Sequence, residues 1–449
     1  MCRRPFALFL CMALMLLSAV YFTACGINKQ DVKEEKEETW KGVITLWDFP
    51  RWPDKNGNRF GWIEKKIAEF ERSHPGVFIH LRKLKWEYGM IELRAAASTG
   101  TYPDIAPVAS DFDFIAGGYL EPLDEFFSES ELSKYDPKAL EAVTYQGRIY
   151  GYPWFMTTHG LFLNLDSFKG RGAAIPQDGR WTYDEFVRAL QKLTYKTKRD
   201  KEVYYGFNLY LSPGSYQIWG FLTMDGAKIF DEDGNFALNS PEGVSALSKM
   251  VDLAAKYRVV PEEEYGAIDE NAVWGDFAEK RKIAVYPAGS WAVKILADRQ
   301  KAEKGFEFEV AHYPKGQREP VNFALVSGYA IFKRGDNARK AACAEFLRFI
   351  TSEKEQEALA DYGVFPARIE AQQKVVSDPY MKRMKEILDA SRVPPKIENW
   401  HGVDEAVTAQ VRQALLRKKT PSQALEDAAR EVEKILAGNK KSVRPMELN

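Results

Sequence analysis

Strand-like and helix-like stretches take turns along most of this chain, and that alternation limits its fold more than any other feature. Val43-Ile44-Thr45-Leu46-Trp47 is a short β-branched run, followed by the turn-forming Pro50, Pro53 and Asn56-Gly57. Phe60, Ile63, Ile67 and Phe70 then recur at three- and four-residue spacing, which puts them on one helix face. Pro75-Gly76 ends that helix before a second strand at Val77–Leu81, and Asp104–Val108 is a third. Such a β-α-β rhythm with short connections predicts an α/β lobe on a mainly parallel sheet. Later helix starts carry their own punctuation. Thr182-Tyr183-Asp184-Glu185 is a capping box, and Ser240-Pro241 and Thr420-Pro421-Ser422-Gln423 each join a cap to a first-turn proline. A hairpin is expected around Lys228 to Phe236, and strands at Ile283–Tyr286, Phe308–Ala311 and Tyr329–Phe332.

The chain has 449 residues, 45% of them hydrophobic, more than one core normally accommodates, so two lobes are expected. A formal net charge of −1, with no basic block, argues against a nucleic-acid partner. Eleven tryptophans exceed the needs of packing and leave rings to spare for a surface that stacks on something flat and partly apolar.

At the N-terminus, Arg3-Arg4 precede an apolar run from Phe6 to Tyr21 that ends at Phe22-Thr23-Ala24-Cys25-Gly26. The run is short for a spanning helix and has the layout of a cleaved signal. Its end resembles the bacterial lipobox, with Phe22 in place of the usual Leu. That resemblance implies a lipoprotein signal peptide over 1–24, lipidation of Cys25, and an extracytoplasmic protein tied to a bacterial cell membrane by its lipid. Residues 25–41, centred on Lys33-Glu34-Glu35-Lys36-Glu37-Glu38, have few apolar groups and are expected to form a flexible tether. Cys2 and Cys11 leave with the signal, so Cys343 has no disulfide partner and is expected to be a small core residue.

A series of phrases, in this order, resembles the family 1 extracellular solute-binding proteins, the maltose-binding-protein-like substrate-binding lipoproteins of sugar ABC transporters. They are Pro75-Gly76-Val77, Tyr102-Pro103-Asp104-Ile105, Leu120–Asp124, Gly147–Pro153, Phe162–Phe168, Trp181–Phe186, Gly289-Ser290-Trp291, Gly328–Ile331 and Glu345–Ile350. Phe162-Leu163-Asn164 departs from the family's frequent Tyr-Tyr-Asn. The resemblance covers roughly residues 42–435. It implies a two-lobed periplasmic-binding-protein-like α/β fold (type II), each lobe a mixed sheet flanked by helices, joined by a hinge that the chain crosses several times. Lobe 1 is expected at 42–151 plus 312–361, lobe 2 at 152–311 plus 362–438, and a C-terminal tail at 439–449. The crossings would fall near Tyr152-Pro153, His312-Tyr313-Pro314 and Gly363–Pro366. The function implied is capture of a carbohydrate between the lobes and its delivery to the transmembrane subunits of an ABC permease, by a monomer that performs no chemistry and needs no cofactor.

A sugar offers apolar C–H faces and a rim of hydroxyls, so its site pairs aromatic rings with carboxylates and amides. Such groups belong on loops at strand ends. Trp47 and Asp48 end the first strand, Ser110 and Asp111 follow the third, and Trp154 stands just past the Gly-Tyr-Pro phrase. The resemblance adds Tyr216 and Trp219, in a segment that aligns loosely with an aromatic binding stretch of the family, and Trp291, where the family has a stacking ring. Tyr329 in Ser327-Gly328-Tyr329 and Trp400, between Asn399 and His401, complete the set. For each, core packing is the competing role.

The chain has no His-Glu-x-x-His, Gly-x-Ser-x-Gly or P-loop motif and no Cys/His cluster, and its five histidines are scattered, so no metal site is expected. Asp231–Asn235 lacks a glycine at the sixth position and the spaced terminal Glu of a calcium loop, so a turn is expected there. Two alternatives stay open: a cell-surface glycoside hydrolase whose carboxylate pair hides among 64 acids, and a binder of a non-sugar solute on the same fold.

Overall fold

The structure is a computed structural model that describes residues 40–442. The expected signal peptide, Cys25 and the tether as far as residue 39 lie outside the described residues.

Two mixed sheets organise the body. In the six-stranded sheet, Gly42–Asp48 runs parallel to Val77–Lys83 in unbroken register from Gly42 opposite Val77 to Asp48 opposite Lys83, with Ile105–Ala106 on its other side. Leu325–Ile331 lies antiparallel to Ile105–Ala106 and to Tyr152–Thr157, and Phe365–Pro366 forms the edge. Alternation along Gly42–Asp48 turns Ile44, Leu46 and Asp48 inward. The helix Gly61–Ser73 buries Ile63, Ile67 and Phe70, the stripe read from the sequence, and packs against Val77–Lys83. The five-stranded sheet runs Phe308–Ala311, His159–Asn164, Ile283–Gly289, Val203–Phe207 and Tyr195–Lys196. Every residue of Ile283–Gly289 is buried, as an unbroken apolar strand covered on both faces should be.

The expected helix starts form. Thr182 and Glu185 make a reciprocal capping box, Ser240 accepts from the Gly243 N–H, and Thr420 and Gln423 exchange bonds. Cys343 is buried in the helix Asn337–Ile350. The expected hairpin at Lys228–Phe236 is a tight turn with a single bridge between Phe230 and Phe236; Asp231 spends its carboxylate on the Asp233 and Asn235 N–H groups. The last helix, Pro421–Ser442, runs on past Gly438, where the tail was expected to begin.

The passages between the sheets differ from the sequence expectation. Tyr152-Pro153 sits inside a strand of the first sheet: the register shifts between Ser327 and Gly328, so Pro153, which has no N–H to pair, is taken up beside a bulge at Trp154. A Cβ on Gly328 would stand 2.7 Å from the Tyr152 carbonyl oxygen, so only glycine fits opposite that bulge. The change of sheet comes later, at Thr158. His312–Lys315 likewise stays with the second lobe, His312 N–H donating to Gly179 O (2.8 Å) and Lys315 N–H to Trp181 O (2.9 Å). Phe365–Pro366 is an edge strand of the first sheet, where a proline is tolerated.

Three separate parts of the chain meet where the sheets join. The Thr158 hydroxyl donates to Phe323 O (2.9 Å) and lies 3.0 Å from the Ser391 hydroxyl, while Ala324 N–H donates to Arg392 O (2.8 Å). Thr158, Phe323 and Ser391 are all buried. Each such bond contributes about 0.5–1.5 kcal/mol, and leaving one partner unpaired here would cost more.

Candidate functional site

Asp111 and Asp113 belong to the first lobe. Asp111 caps the short helix Phe112–Ala116 by accepting from the Asp113 N–H (3.1 Å). Its carboxylate also meets Arg94 Nη2 at 3.1 Å, and Asp113 stands 3.7 Å from the same nitrogen. Burial pushes the Asp111 carboxyl up to about 6 against the pull of Arg94. The Arg94 Nε is buried without a hydrogen-bond partner.

Opposite this charged group stands the start of the helix Trp400–Leu415, which packs in the second lobe on Pro241–Ala255 and Pro421–Ser442. The Asn399 N–H donates to Asp113 Oδ1, a direct bond between the lobes. Trp400 Nε1 donates to the Tyr216 hydroxyl at 3.0 Å. Tyr216 has a left-handed backbone (φ 57°), and its ring meets Phe323 edge-on, with centroids 5.6 Å apart. Its hydroxyl is held in protonated form chiefly by burial and by the Asp404 charge, with Asp111 and Arg94 near enough to act on it. His401 is likewise held neutral by burial and by Arg94.

Asp404 fixes this arrangement from beneath. Its carboxylate accepts from the Gly214 N–H (2.6 Å) and from Trp219 Nε1 (3.0 Å), tying the loop before Tyr216 to the helix that carries Trp400. Burial pushes Asp404 up to about 6. From Tyr216 a chain of contacts runs through the interior, Gln217 donating its amide to the Tyr286 hydroxyl (3.1 Å) and Tyr286 meeting Trp274, whose ring lies 5.1 Å from the half-buried Trp291.

The ten residues singled out in the sequence divide by environment. Tyr216, Trp219 and Trp400 come together, Trp219 lying 5.5 Å beneath Trp400. Trp291 is half-buried beside Trp274, and Ser110 is exposed with its hydroxyl donating to Val326 O (2.6 Å). Trp154, Trp219 and Tyr329 have no exposed surface and present no face to a guest; of the three, Trp219 backs the site through Trp400 and Asp404. Trp154 is stacked on Trp62 at 4.6 Å, and its proximity to a strand bulge draws it into the interior. Asp48 is equally internal: it accepts from the Phe49 N–H, Arg51 and the Tyr329 hydroxyl (2.9 Å), and burial raises its pKa. Trp47, next to it on the strand, points to the other face, where the Arg82 guanidinium lies 4.1 Å over its ring.

Arg94, Asp113, Trp274, Asp404 and Trp86 went unread in the sequence. Trp86 is 54% exposed, stacked on Phe49 at 4.3 Å, with its indole N–H fixed on Pro50 O (3.2 Å). An isolated tryptophan between Lys85 and Glu87 carries no periodic signal. Among the described residues, no group of three His, Cys, Asp or Glu side chains is placed to hold a metal ion, and no helix is long and apolar enough to cross a membrane.

Comparison with known proteins bears on this geometry. A family model described as bacterial extracellular solute-binding protein matches residues 65–384. An arabinooligosaccharide-binding protein of Bacillus subtilis is 23% identical over 310 residues, spanning 62% of this chain and 67% of its own length. A maltotriose-binding protein of Pyrococcus abyssi is 24% identical over 299 residues, spanning 65% of this chain and 59% of that relative. Among solved structures, an ABC substrate-binding protein from Listeria monocytogenes in complex with cycloalternan matches with a TM-score of 0.74 at 20% identity, covering 89% of this chain and 100% of that one. The two mixed sheets described above thus match a two-lobed α/β fold.

Proposed function

Because the chain belongs to the bacterial extracellular solute-binding protein family, we propose that it is the sugar-capturing subunit of an ABC importer, gripping an oligosaccharide between its lobes and leaving it unaltered. One observation carries the reading: the Tyr216–Trp400 pair of the second lobe faces the Arg94–Asp111–Asp113 group of the first. Rings of this kind cover the apolar C–H faces of a pyranose or furanose, and the charged groups bind its hydroxyls through strong hydrogen bonds. The names of the two oligosaccharide-binding relatives support a carbohydrate guest.

Neither half-site encloses a sugar by itself. A guest that touches both stabilises the closed form in proportion to its preference for that form, and the passages at Thr158, Phe323-Ala324 and Ser391-Arg392 are where the lobes would turn. The closed rim then docks on the permease, with the driving energy supplied by a separate ATPase. We infer further that Cys25 carries the lipid that holds the chain at the membrane, with the segment to residue 41 as its tether. Metabolic labelling with a palmitate analogue tests this, and labelling that persists in Cys25→Ser contradicts it.

The functional test is calorimetric titration of the full chain with maltooligosaccharides and arabinooligosaccharides, each recovered afterwards for mass analysis. Saturable binding with the sugar returned intact supports capture without chemistry. A guest returned cleaved points instead to a hydrolase, and no heat with any carbohydrate contradicts the reading.

A further inference from the structure

The second lobe holds a cavity of about 210 Å³ that takes no part in the facing surfaces described above. It lies between the capping box that starts the helix Tyr183–Leu193 and the segment after Ala311 that leads back to the first sheet. Its wall includes Arg180, Trp181, Glu185, His312, Lys315 and Glu319.

The charges in this wall are unequally committed. Glu185 Oε2 already accepts from the Thr182 N–H and hydroxyl, both at 2.8 Å. Glu319 is paired with Lys315 at 3.0 Å. Two nitrogen-bearing groups are left over. The Arg180 guanidinium has no hydrogen-bond or ion-pair partner among the described residues. His312 is only 9% exposed, and its Nε2 is shut away from solvent with no hydrogen-bond partner. His312 is held in place by its own backbone, its N–H on Gly179 O and its carbonyl accepting from Trp181 Nε1 (2.8 Å). Buried polar atoms are nearly always paired, so the unpaired His312 Nε2 at this cavity marks an absent partner, an acceptor in the tautomer that carries the proton on Nε2, and the exposed Arg180 guanidinium adds a positive charge that acts on the same ring.

We propose that this cavity is a binding site for a small oxyanion, the phosphate or carboxylate group of a small molecule, held by Arg180 and by the His312 Nε2–H. Neutral imidazole suffices for that, since burial and the nearby Arg180 hold the His312 pKa down to about 4. A guanidinium offers the planar fork that oxyanions fit, and Lys315 adds a positive charge at the rim. The lining segment 312–319 runs on to the lobe passage at Phe323, so occupancy would also brace the approach to that passage.

Nitrogen-detected NMR of the histidine rings in the full chain tests the site, with only five histidines to resolve and His312→Gln to assign the signal. Inorganic phosphate and succinate are titrated at ionic strength matched with chloride. The expected result is a saturable displacement of the His312 Nε2 signal by one or both. Arg180→Gln should weaken it by about tenfold or more, the worth of one charge-assisted hydrogen bond, and Arg180→Lys should restore part of it. Phosphate alone acting identifies a phosphate site, and succinate alone a carboxylate site. A displacement that follows ionic strength only, that never saturates, or that survives Arg180→Gln unchanged means that water fills the cavity, and overturns the proposal. Arg180 is exposed, so an unchanged unfolding temperature confirms that the variant is folded.

Discussion

The two facing surfaces are made from opposite materials. The first lobe presents charge, an arginine bracketed by two carboxylates, whereas the second presents rings, Tyr216 with the edge of the largely buried Trp400 in one place and Trp274 with Trp291 in another. Charged groups fix the orientation of a guest and aromatic faces provide contact area, so the division makes each lobe an incomplete site. It also explains where structural reinforcement lies. The ringed surface is braced from behind by Trp219 and Asp404, both buried, whereas the charged one rests on a five-residue helix and a single arginine.

That contrast can be broken at several points. The largest effect is expected behind the rings: Trp219→Ala should destabilise the fold by about 3–5 kcal/mol, the usual cost of deleting a large buried aromatic. Chemical denaturation measures it, and a loss near zero would mean that the wall stands without its brace. Next comes the acid dependence of Asp404. Its native pKa is raised from the ordinary carboxylate range to about 6, so the folded protein holds this proton where the unfolded chain has lost it. Stability from this group is therefore full in acid and falls as pH rises from about 4 to about 6, by on the order of 3 kcal/mol at most. Asp404→Asn should flatten that part of the melting-temperature profile; a profile identical to that of the unaltered protein would contradict the assignment. Asp111, raised to the same value, adds to the trend in the same direction.

Smaller effects separate the two faces in binding. Trp291→Ala and Arg94→Gln should each weaken sugar affinity by about tenfold, the worth of a ring contact or a charge-assisted bond. Their melting temperatures should stay close to that of the unaltered chain, since both side chains are partly exposed. If only one of the two changes affinity, a single lobe binds and the division is wrong. Trp86→Ala is expected to do least: its ring is 54% exposed, resting on Phe49 with its indole N–H on Pro50 O, so removal should cost severalfold in affinity, and an unchanged titration would show that the guest stays clear of that edge.

Much of this was legible in the sequence because local chemistry decides it. Caps at Thr182, Ser240 and Thr420, the helix stripe Ile63-Ile67-Phe70 and the strand Phe308–Ala311 depend on near neighbours, and all formed as read. Tyr216 and Trp400 were named from composition and resemblance, but their mutual hydrogen bond spans 184 positions and has no local signal. Burial was the weak point. A tryptophan near a strand end reads the same whether it faces inward, as Trp154 does, or outward, as Trp86 does, because strand register and bulges settle the matter. Sheet membership was equally hidden: Pro153 and Pro366, expected near crossings, lie in strands of the first sheet where a bulge and a sheet edge accommodate them, and the chain changes sheet after Thr157.

Small-angle scattering of the full chain, with and without a saturating sugar found by calorimetry, tests most directly whether charge and rings grip one guest together. A decrease in the radius of gyration on saturation, abolished in the combined Tyr216→Ala and Arg94→Gln variant, is the predicted result. Dimensions that stay the same while the sugar is fully bound would contradict it.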